Sequence, residues 1–212
     1  MNIKKIHKQL ILIECNDKIL IDDESIIFDG GANKGDFIKA LHKEGINPII
    51  YAYEPNLKLY YELIKNYESK KVHINKKALN NKVGKTILYI DKNNQSSSTM
   101  EGKVGNNYLE DKYQVKSTTI EEEMRLHRLD RIDLLKLNIE GGELVIMENI
   151  PDSIYKKINQ ITIQFHPNKG IENFDMDKVY ELEKFILRKG YKFIKKYKHM
   201  GRLFVREEIL NG

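Results

Sequence analysis

The chain alternates short apolar runs with longer segments in which apolar residues recur every three or four positions. The apolar runs predict β-strands, and they occupy residues 25–28, 47–54, 72–74, 131–139 and 158–166. The periodic segments predict helices, and they occupy residues 36–44, 56–67, 121–128, 144–149 and 177–189. This alternation predicts an α/β fold with a doubly wound, Rossmann-like sheet of about seven strands. Residues 191–197 and 202–206 predict a closing hairpin that adds one antiparallel strand.

One predicted helix has an assignable start and an assignable buried face. Asn56 is a favourable N-cap residue. Leu57, Tyr60, Tyr61 and Ile64 follow it at the spacing of a single helix face. We therefore expect these four side chains to pack in the core.

The N-terminal part of the chain departs from the alternation. Residues 9–21 predict two short strands around the turn-forming pair Asn16 and Asp17. We accordingly divide the chain into an N-terminal hairpin extension, residues 1–24, and one folded domain, residues 25–212.

A long polar segment separates two further predicted strands, residues 86–90 and 113–119. It contains the polar run 95–99, which begins with Gln95 and Ser96, together with Gly102 and Gly105. Loops of this length are usually functional or disordered. We expect a loop that faces a substrate, with a disordered loop as the alternative.

Composition narrows the class of protein. Hydrophobic residues make up 41% and charged residues 32% of the 212, as in globular proteins. The net charge of +5 arises from both signs spread along the chain, so a nucleic-acid partner is not expected. The single cysteine, Cys15, excludes an internal disulfide and favours a reducing compartment. The apolar run 10–13 is too short for a signal peptide or a membrane span, so we expect a cytoplasmic protein, and an oligomer is compatible with the sequence.

A glycine-rich turn joins the first buried strand to its helix. The turn runs from Asp29 through Gly30, Gly31 and Asn33 to Gly35. Glycines let the backbone approach a ligand, and the free N–H groups at the start of a helix point towards it. The spacing differs from the dinucleotide pattern G-x-G-x-x-G, which argues against a nicotinamide dehydrogenase. A tight turn without a ligand is the alternative.

A second acid ends the next strand. Glu54 lies 19 residues after Gly35. A carboxylate at this place accepts hydrogen bonds from both ribose hydroxyls of an adenosyl ligand. Ala78 and Leu79 are expected to contact the adenine of that ligand. The alternative for Glu54 is an ordinary strand-end acid in solvent.

Two predicted strands become polar on one face as they approach their carboxyl ends. Lys136, Asn138 and Glu140 alternate along one strand, and Gln164 and His166 along the other. A lysine inside a parallel sheet needs a partner. Either Lys136, Asn138 and Gln164 form a satisfied buried network, or these residues surround a reaction site at the sheet edge. The two are compatible, and we favour the site because the glycine turn shares that edge.

Four motifs together resemble the FkbM family of S-adenosylmethionine-dependent methyltransferases. They are residues 27–35, 53–56, 135–143 and 164–166, and the likeness spans about residues 25–168. The resemblance implies the class I methyltransferase sheet, S-adenosylmethionine as cofactor, and O-methylation of a hydroxyl on a sugar, glycan or secondary metabolite, with many members in polysaccharide biosynthesis. It implies a cofactor site formed by Asp29, Gly30, Gly31, Asn33, Gly35, Glu54, Pro55, Asn56, Ala78, Leu79 and Asn138.

One position departs from the pattern of the family. Asn138 stands where the commoner form has aspartate. Asparagine can accept a hydrogen bond from the amino group of the cofactor or position a hydroxyl, but it cannot act as a base. If the family aspartate is catalytic, this protein is impaired or uses another base. Asn138 also supports the alternative of a non-catalytic module that binds S-adenosylmethionine.

The predicted catalytic residues are His166, Glu140 and Lys136. An alcohol is a poor nucleophile, so a base that takes its proton assists methyl transfer. His166 exchanges a proton near neutral pH and is the first candidate, with a purely structural histidine as the alternative. Glu140 and Glu143 are alternatives as base or as acceptor-orienting groups. Asn138 and Glu140 could contribute to a hard-cation site, but no carboxylate cluster with ligand spacing occurs in the sequence, so the metal stays unknown.

A second hypothesis keeps the cofactor and replaces the acceptor by RNA, DNA or protein. The net charge of +5 permits it. The motif at residues 138–141, however, differs from the Asn-Pro-Pro-aromatic type that holds a flipped base. A nucleic-acid acceptor is therefore disfavoured.

Overall fold

The computed structural model describes the chain except for residues 8, 17, 93–96, 102–103, 105–107, 167–175, 198–200 and 212. The strands are β1 (Asn2–Ile6), β2 (Gln9–Cys15), β3 (Lys18–Ile19), β4 (Ile26–Gly30), β5 (Ile49–Tyr53), β6 (Val72–Asn75), β7 (Ala78–Leu79), β8 (Gly84–Asp91), β9 (Leu109–Thr118), β10 (Ile132–Leu137), β11 (Ile158–Gln164), β12 (Tyr191–Tyr197) and β13 (Gly201–Arg206). The helices are α1 (Asp36–Lys43), α2 (Leu57–Tyr67), α3 (Ile120–Leu126), α4 (Glu143–Glu148), α5 (Asp152–Tyr155), α6 (Met176–Arg188) and α7 (Glu207–Asn211). Within these described ranges no helix has both the length and the apolar character needed to cross a membrane. The predicted turn residue Asp17 and the predicted loop residues Gln95, Ser96, Gly102 and Gly105 lie outside the described residues.

Seven strands form the central sheet in the order β12-β13-β11-β10-β4-β5-β6. β11, β10, β4, β5 and β6 pair in parallel, while β13 runs antiparallel between β11 and β12. The predicted doubly wound α/β sheet with an antiparallel last hairpin is confirmed. The chain proceeds outwards from β4 in one direction and from β10 in the other, so a crevice opens at the carboxyl ends of these two strands.

Apolar side chains cover both faces of this sheet. Ile27 packs with Ile38 and Leu41 of α1 on one face. Phe28, its neighbour in β4, packs in the core on the other face together with Met147 of α4. β10 is buried at every position. Because the central strands are buried on both faces, their sequences are continuous apolar runs and do not alternate between apolar and polar residues.

The N-terminal segment forms a small antiparallel sheet in the order β1-β2-β3. The hairpin of β2 and β3 agrees with the prediction, whereas β1 was not predicted because three of its five residues are polar. Leu10 and Leu12 of β2 pack against Leu203 and Val205 of β13. The N-terminal sheet therefore lies against the central one, and the division between extension and domain stays a prediction.

A third sheet, in the order β7-β9-β8, lies beside the carboxyl edge. The strands predicted over residues 86–90 and 113–119 correspond to β8 and β9, which form a longer antiparallel pair. The end of the polar segment between them returns to β8 at Ser98, which pairs with Tyr89. The Ser98 hydroxyl donates to the Glu140 carbonyl oxygen at 2.7 Å. This contact joins the polar segment to the loop after β10.

The buried face of α2 differs from the prediction. Leu59 and Leu63 are the residues that α2 buries. Leu57 and Tyr61, which we expected in the core, are exposed. The predicted N-cap is correct, because the Asn56 side chain accepts hydrogen bonds from two N–H groups of the first turn.

Candidate active site

A cavity of about 370 Å³ opens at the carboxyl edge of the central sheet. Ten predicted site residues line it: Gly31, Asn33, Glu54, Pro55, Ala78, Leu79, Lys136, Asn138, Glu140 and His166. Four others, Asp29, Gly30, Gly35 and Asn56, do not line it. The cavity volume is in the range of small-molecule sites, which usually hold a few convergent polar groups.

The turn after β4 depends on its glycines. Gly31 has a φ of 75°, and a Cβ there would lie 2.1 Å from the Asn138 carbonyl oxygen. Gly35 has a φ of 80°, and a Cβ there would lie 2.3 Å from a tyrosine ring of α2. Side chains disfavour this φ and would collide at both positions. Gly31 and Gly35 are therefore required by the turn, and Gly31 and Asn33 line the cavity.

A buried ion pair supports the same turn. The Lys136 ammonium lies 2.6 Å from Asp29 Oδ1, and both side chains are almost fully buried. The ammonium also donates to the carbonyl oxygens of Gly30, at 3.2 Å, and Gly31, at 2.9 Å. A buried cation needs such partners. These contacts favour a positioning role for Lys136, and its predicted catalytic role stays a prediction.

Glu54 is held by backbone groups at the end of β5. Its Oε2 accepts from the Asn33 N–H and its Oε1 from the Asn56 N–H, both at 2.9 Å. Burial raises the pKa of Glu54 to about 7, against the opposing effect of these hydrogen bonds. Asn56 thus fixes the carboxylate through its backbone and begins α2 through its side chain. Each carboxylate oxygen retains a further lone pair for a ligand hydroxyl.

Apolar groups form another part of the cavity wall. Ala78 and Leu79, which form β7, lie there together with Leu88 and Tyr53. The Tyr53 hydroxyl donates to the buried Glu123 carboxylate at 3.2 Å, which fixes the ring. A wall of this kind is suited to a planar, weakly polar group such as a nucleoside base.

His166 lies between two glutamates. Its Nε2 is 3.2 Å from Glu140 Oε1, and its Nδ1 is 3.4 Å from Glu143 Oε1. Glu143 is fully buried and accepts from the N–H groups of Ile139 and Gly141, both at 2.9 Å. The flanking carboxylates orient the ring. Among the residues that the structure describes, no three His, Cys, Asp or Glu side chains form a group that could hold a metal ion.

Several buried polar atoms at or near the cavity have no hydrogen-bond partner in the described structure. They are Asn138 Oδ1, Gln164 Oε1 and Gln9 Nε2, and both carboxylate oxygens of Asp29 lack a hydrogen bond although the Lys136 ammonium is close. The alternative of a satisfied buried network of Lys136, Asn138 and Gln164 is therefore contradicted, since Asn138 Oδ1 and Gln164 Oε1 lack partners. Unmatched buried polar atoms indicate a ligand. An acceptor oxygen at Asn138, a carboxylate at Glu54 and an apolar wall together fit an adenosyl group with an amino-acid tail.

The N-terminal hairpin was expected either to cover one end of the site or only to pad the sheet, but the sequence did not reveal which of its residues reach the cavity. His7 and Gln9 line it. The one available signal was a glutamine directly before the apolar run 10–13. Its position could not be inferred, because it depends on how β2 packs against the central sheet.

Comparison with known proteins identifies the family. The chain matches the Methyltransferase FkbM domain over residues 29–193. It is 23% identical over 192 residues to Methyltransferase 1 of Beauveria bassiana (strain ARSEF 2860). This alignment covers 80% of this chain and 76% of that protein. It resembles the crystal structure of methyltransferase FkbM from Methylobacillus flagellatus with a TM-score of 0.56 and 13% identity, over 87% of this chain but only 44% of that one. The chain therefore belongs to the FkbM methyltransferase family, has its class I fold, and uses S-adenosylmethionine as cofactor.

Proposed function

We propose that this methyltransferase acts on a hydroxyl oxygen of a sugar, glycan or secondary-metabolite acceptor. The observation that carries the proposal is the position of His166 between Glu140 and Glu143, in the same cavity as Glu54 and the glycine turn. A weakly acidic hydroxyl requires a base near the point of methyl transfer. Asn138 cannot supply one, whereas His166 can.

The residues that hold the cofactor divide into two groups in this proposal. Glu54 accepts hydrogen bonds from the ribose hydroxyls, Asn138 Oδ1 accepts from the amino group, and Ala78 and Leu79 contact the adenine. Asn33 and Pro55 complete the wall on either side of Glu54. A second set acts from outside the cavity by fixing the turn and the carboxylate: Asp29, Gly30, Gly35 and Asn56.

The chemistry follows from the arrangement of the acceptor side. When bound, S-adenosylmethionine supplies an electrophilic methyl group. The Nδ1–H of His166 donates to Glu143, so Nε2 is the ring atom that accepts the hydroxyl proton as the oxygen becomes methylated, and Glu140 then accepts a hydrogen bond from the new Nε2–H. Because Glu143 is itself fixed by two backbone N–H groups, the ring is held in one orientation. A base that is already oriented reduces the entropy cost of reaching the transition state.

The remaining parts of the proposal concern the biological setting. We propose a role in polysaccharide biosynthesis because the family resemblance implies sugar acceptors. A cytoplasmic location and an oligomeric state stay predictions. RNA, DNA and protein remain the alternative acceptors, to be distinguished by the assay below.

The experiment uses S-adenosylmethionine labelled on its methyl group. The full chain is incubated with pools of glycans, of secondary metabolites, of RNA, of DNA and of protein, and label is located by mass spectrometry. We expect label on a hydroxyl of a glycan or a secondary metabolite. Exclusive labelling of RNA, DNA or protein contradicts the proposed acceptor, and labelling of no pool supports a binding module instead.

A variant of the base tests the mechanism with the acceptor so found. His166→Ala should bind S-adenosylhomocysteine as the wild type does, and should lower turnover by about 100-fold or more because the proton acceptor is gone. Calorimetry and single-turnover kinetics measure the two quantities. An unchanged single-turnover rate would reject His166 as the base.

A further inference from the structure

One face of β11 carries three polar side chains in succession, and the first two contact β2. Gln160 exchanges two hydrogen bonds of 2.9 Å with the backbone N–H and carbonyl oxygen of Leu12. Thr162, two residues on, donates to Gln9 Oε1 at 3.0 Å. Gln164 comes next and lies at the cavity. Polar groups on this face are therefore satisfied in the interior and become unmatched where the cavity begins.

Two side-chain amide atoms lack a hydrogen-bond partner where this face of β11 meets the cavity. Gln9 is 2% exposed and Gln164 is 8% exposed, and both line the cavity. Because Gln9 Oε1 accepts from Thr162, its Nε2 is the atom that lacks a partner. Gln164 Oε1 lacks one as well. One unmatched donor and one unmatched acceptor are costly to bury without a ligand, at about 1–3 kcal/mol each.

We infer that Gln9 and Gln164 form an acceptor subsite that binds a second, non-reacting hydroxyl of the substrate. A hydroxyl accepts one hydrogen bond and donates another, so it matches the Gln9 donor and the Gln164 acceptor. Gln164 precedes His166 by two residues, and both side chains line the same cavity. The subsite and the base therefore suit two hydroxyls of one polyhydroxylated acceptor.

This inference rests on the proposed function and deepens it. The N-terminal sheet becomes the part of the protein that selects the acceptor, since it contributes Gln9. The cofactor residues lie on β4, β5, β7 and β10 and their loops, so changes at Gln9 should affect the acceptor and not the cofactor.

The test uses the full chain loaded with S-adenosylhomocysteine. The probes are methyl α-glycosides of glucose, mannose, rhamnose and fucose and their monodeoxy forms, with binding measured by saturation-transfer NMR. We expect the wild type to bind at least one glycoside and to lose about tenfold in affinity when one particular hydroxyl is absent. Gln9→Met and Gln164→Met should bind that glycoside about tenfold more weakly and no longer distinguish it from its deoxy form.

Matched variants separate selection from folding. Gln114→Met changes an exposed glutamine of β9 that does not line the cavity, and it should retain the discrimination. Gln9→Glu keeps the oxygen that accepts from Thr162 and replaces the donor N–H group. It takes the place of Gln9→Met in the test if circular dichroism shows that Gln9→Met is unfolded. Calorimetry with S-adenosylhomocysteine should give the same affinity in every variant, within about twofold.

Three outcomes overturn the inference: no glycoside binds the wild type, the variants discriminate as the wild type does, or cofactor affinity falls at Gln9. If a glycan accepts the methyl label while the Gln9 and Gln164 variants keep wild-type selectivity, the inference fails alone and the proposed function stands. If label enters only RNA, DNA or protein, the proposed function fails.

Discussion

At the scale of single residues, the electrostatics of Glu54 connect cofactor binding to stability. Burial raises its pKa to about 7 from an ordinary value near 4.5. Between these two pH values the folded protein retains a proton that the unfolded chain releases. The contribution of Glu54 to the free energy of unfolding is thus fully present below about pH 4.5 and is lost as the pH rises through 7. The site therefore keeps a carboxylate for the ribose at the expense of the stability of the ligand-free protein.

The variant Glu54→Gln tests this coupling. Glutamine cannot ionise, so the variant should lack the loss of stability that the wild type undergoes between pH 5 and pH 8, which amounts to at most about 3 kcal/mol. Urea unfolding of both ligand-free proteins at the two pH values gives the comparison. The introduced amide N–H₂ group can oppose the backbone N–H groups of Asn33 and Asn56. The resulting loss of stability is the same at both pH values, so it cancels when each protein is compared with itself at the two pH values. Equal pH dependence in the two proteins contradicts the assignment.

At the scale of elements, the strand-to-helix turn is specified by contact as well as by conformation. Gly31 and Gly45 have nearly the same φ, 75° and 76°, but a Cβ meets the Asn138 carbonyl oxygen at the first position and nothing within 4 Å at the second. Gly45→Ala should lower the free energy of unfolding by about 1 kcal/mol, and Gly31→Ala by about 3 kcal/mol. Gly31→Ala should also weaken binding of S-adenosylhomocysteine. Urea unfolding measures the free energy of unfolding, and calorimetry measures the affinity for S-adenosylhomocysteine. Equal losses of unfolding free energy in the two variants would contradict the expected collision at Gly31.

The same scale shows what the sequence could and could not predict. The strands of the central sheet were predicted because burial on both faces leaves continuous apolar runs. The phase of α2 was wrong because Leu59 and Leu63 also lie one turn apart, and nothing local distinguishes their face from that of Tyr60 and Tyr61. A tyrosine tolerates solvent through its hydroxyl, so its presence did not decide the question.

At the scale of the whole molecule, the candidate site combines predictable and unpredictable parts. The residues at the carboxyl ends of β4, β5 and β10 were predicted, because parallel strands bring their ends to one edge. The contribution of Gln9 was not, since β2 packs across β11 in a way that no local pattern encodes. Glu143 was predicted only as an alternative to His166, and the structure shows it as the buried carboxylate beside the ring.

The attachment of the N-terminal sheet to the central sheet depends on Gln160. Its amide is fully buried and is bonded to both backbone groups of Leu12. Gln160→Met leaves a buried N–H and carbonyl unmatched, so it should lower the free energy of unfolding by about 2–4 kcal/mol and speed hydrogen exchange in β2. Gln114→Met, at an exposed position of β9, is the matched control and should change stability by less than about 0.5 kcal/mol. Urea unfolding and amide exchange read by mass spectrometry distinguish the two. If Gln160→Met proves as harmless as Gln114→Met, the apolar contacts of Leu10 and Leu12 with β13 are sufficient to hold the N-terminal sheet, and the paired amide is dispensable.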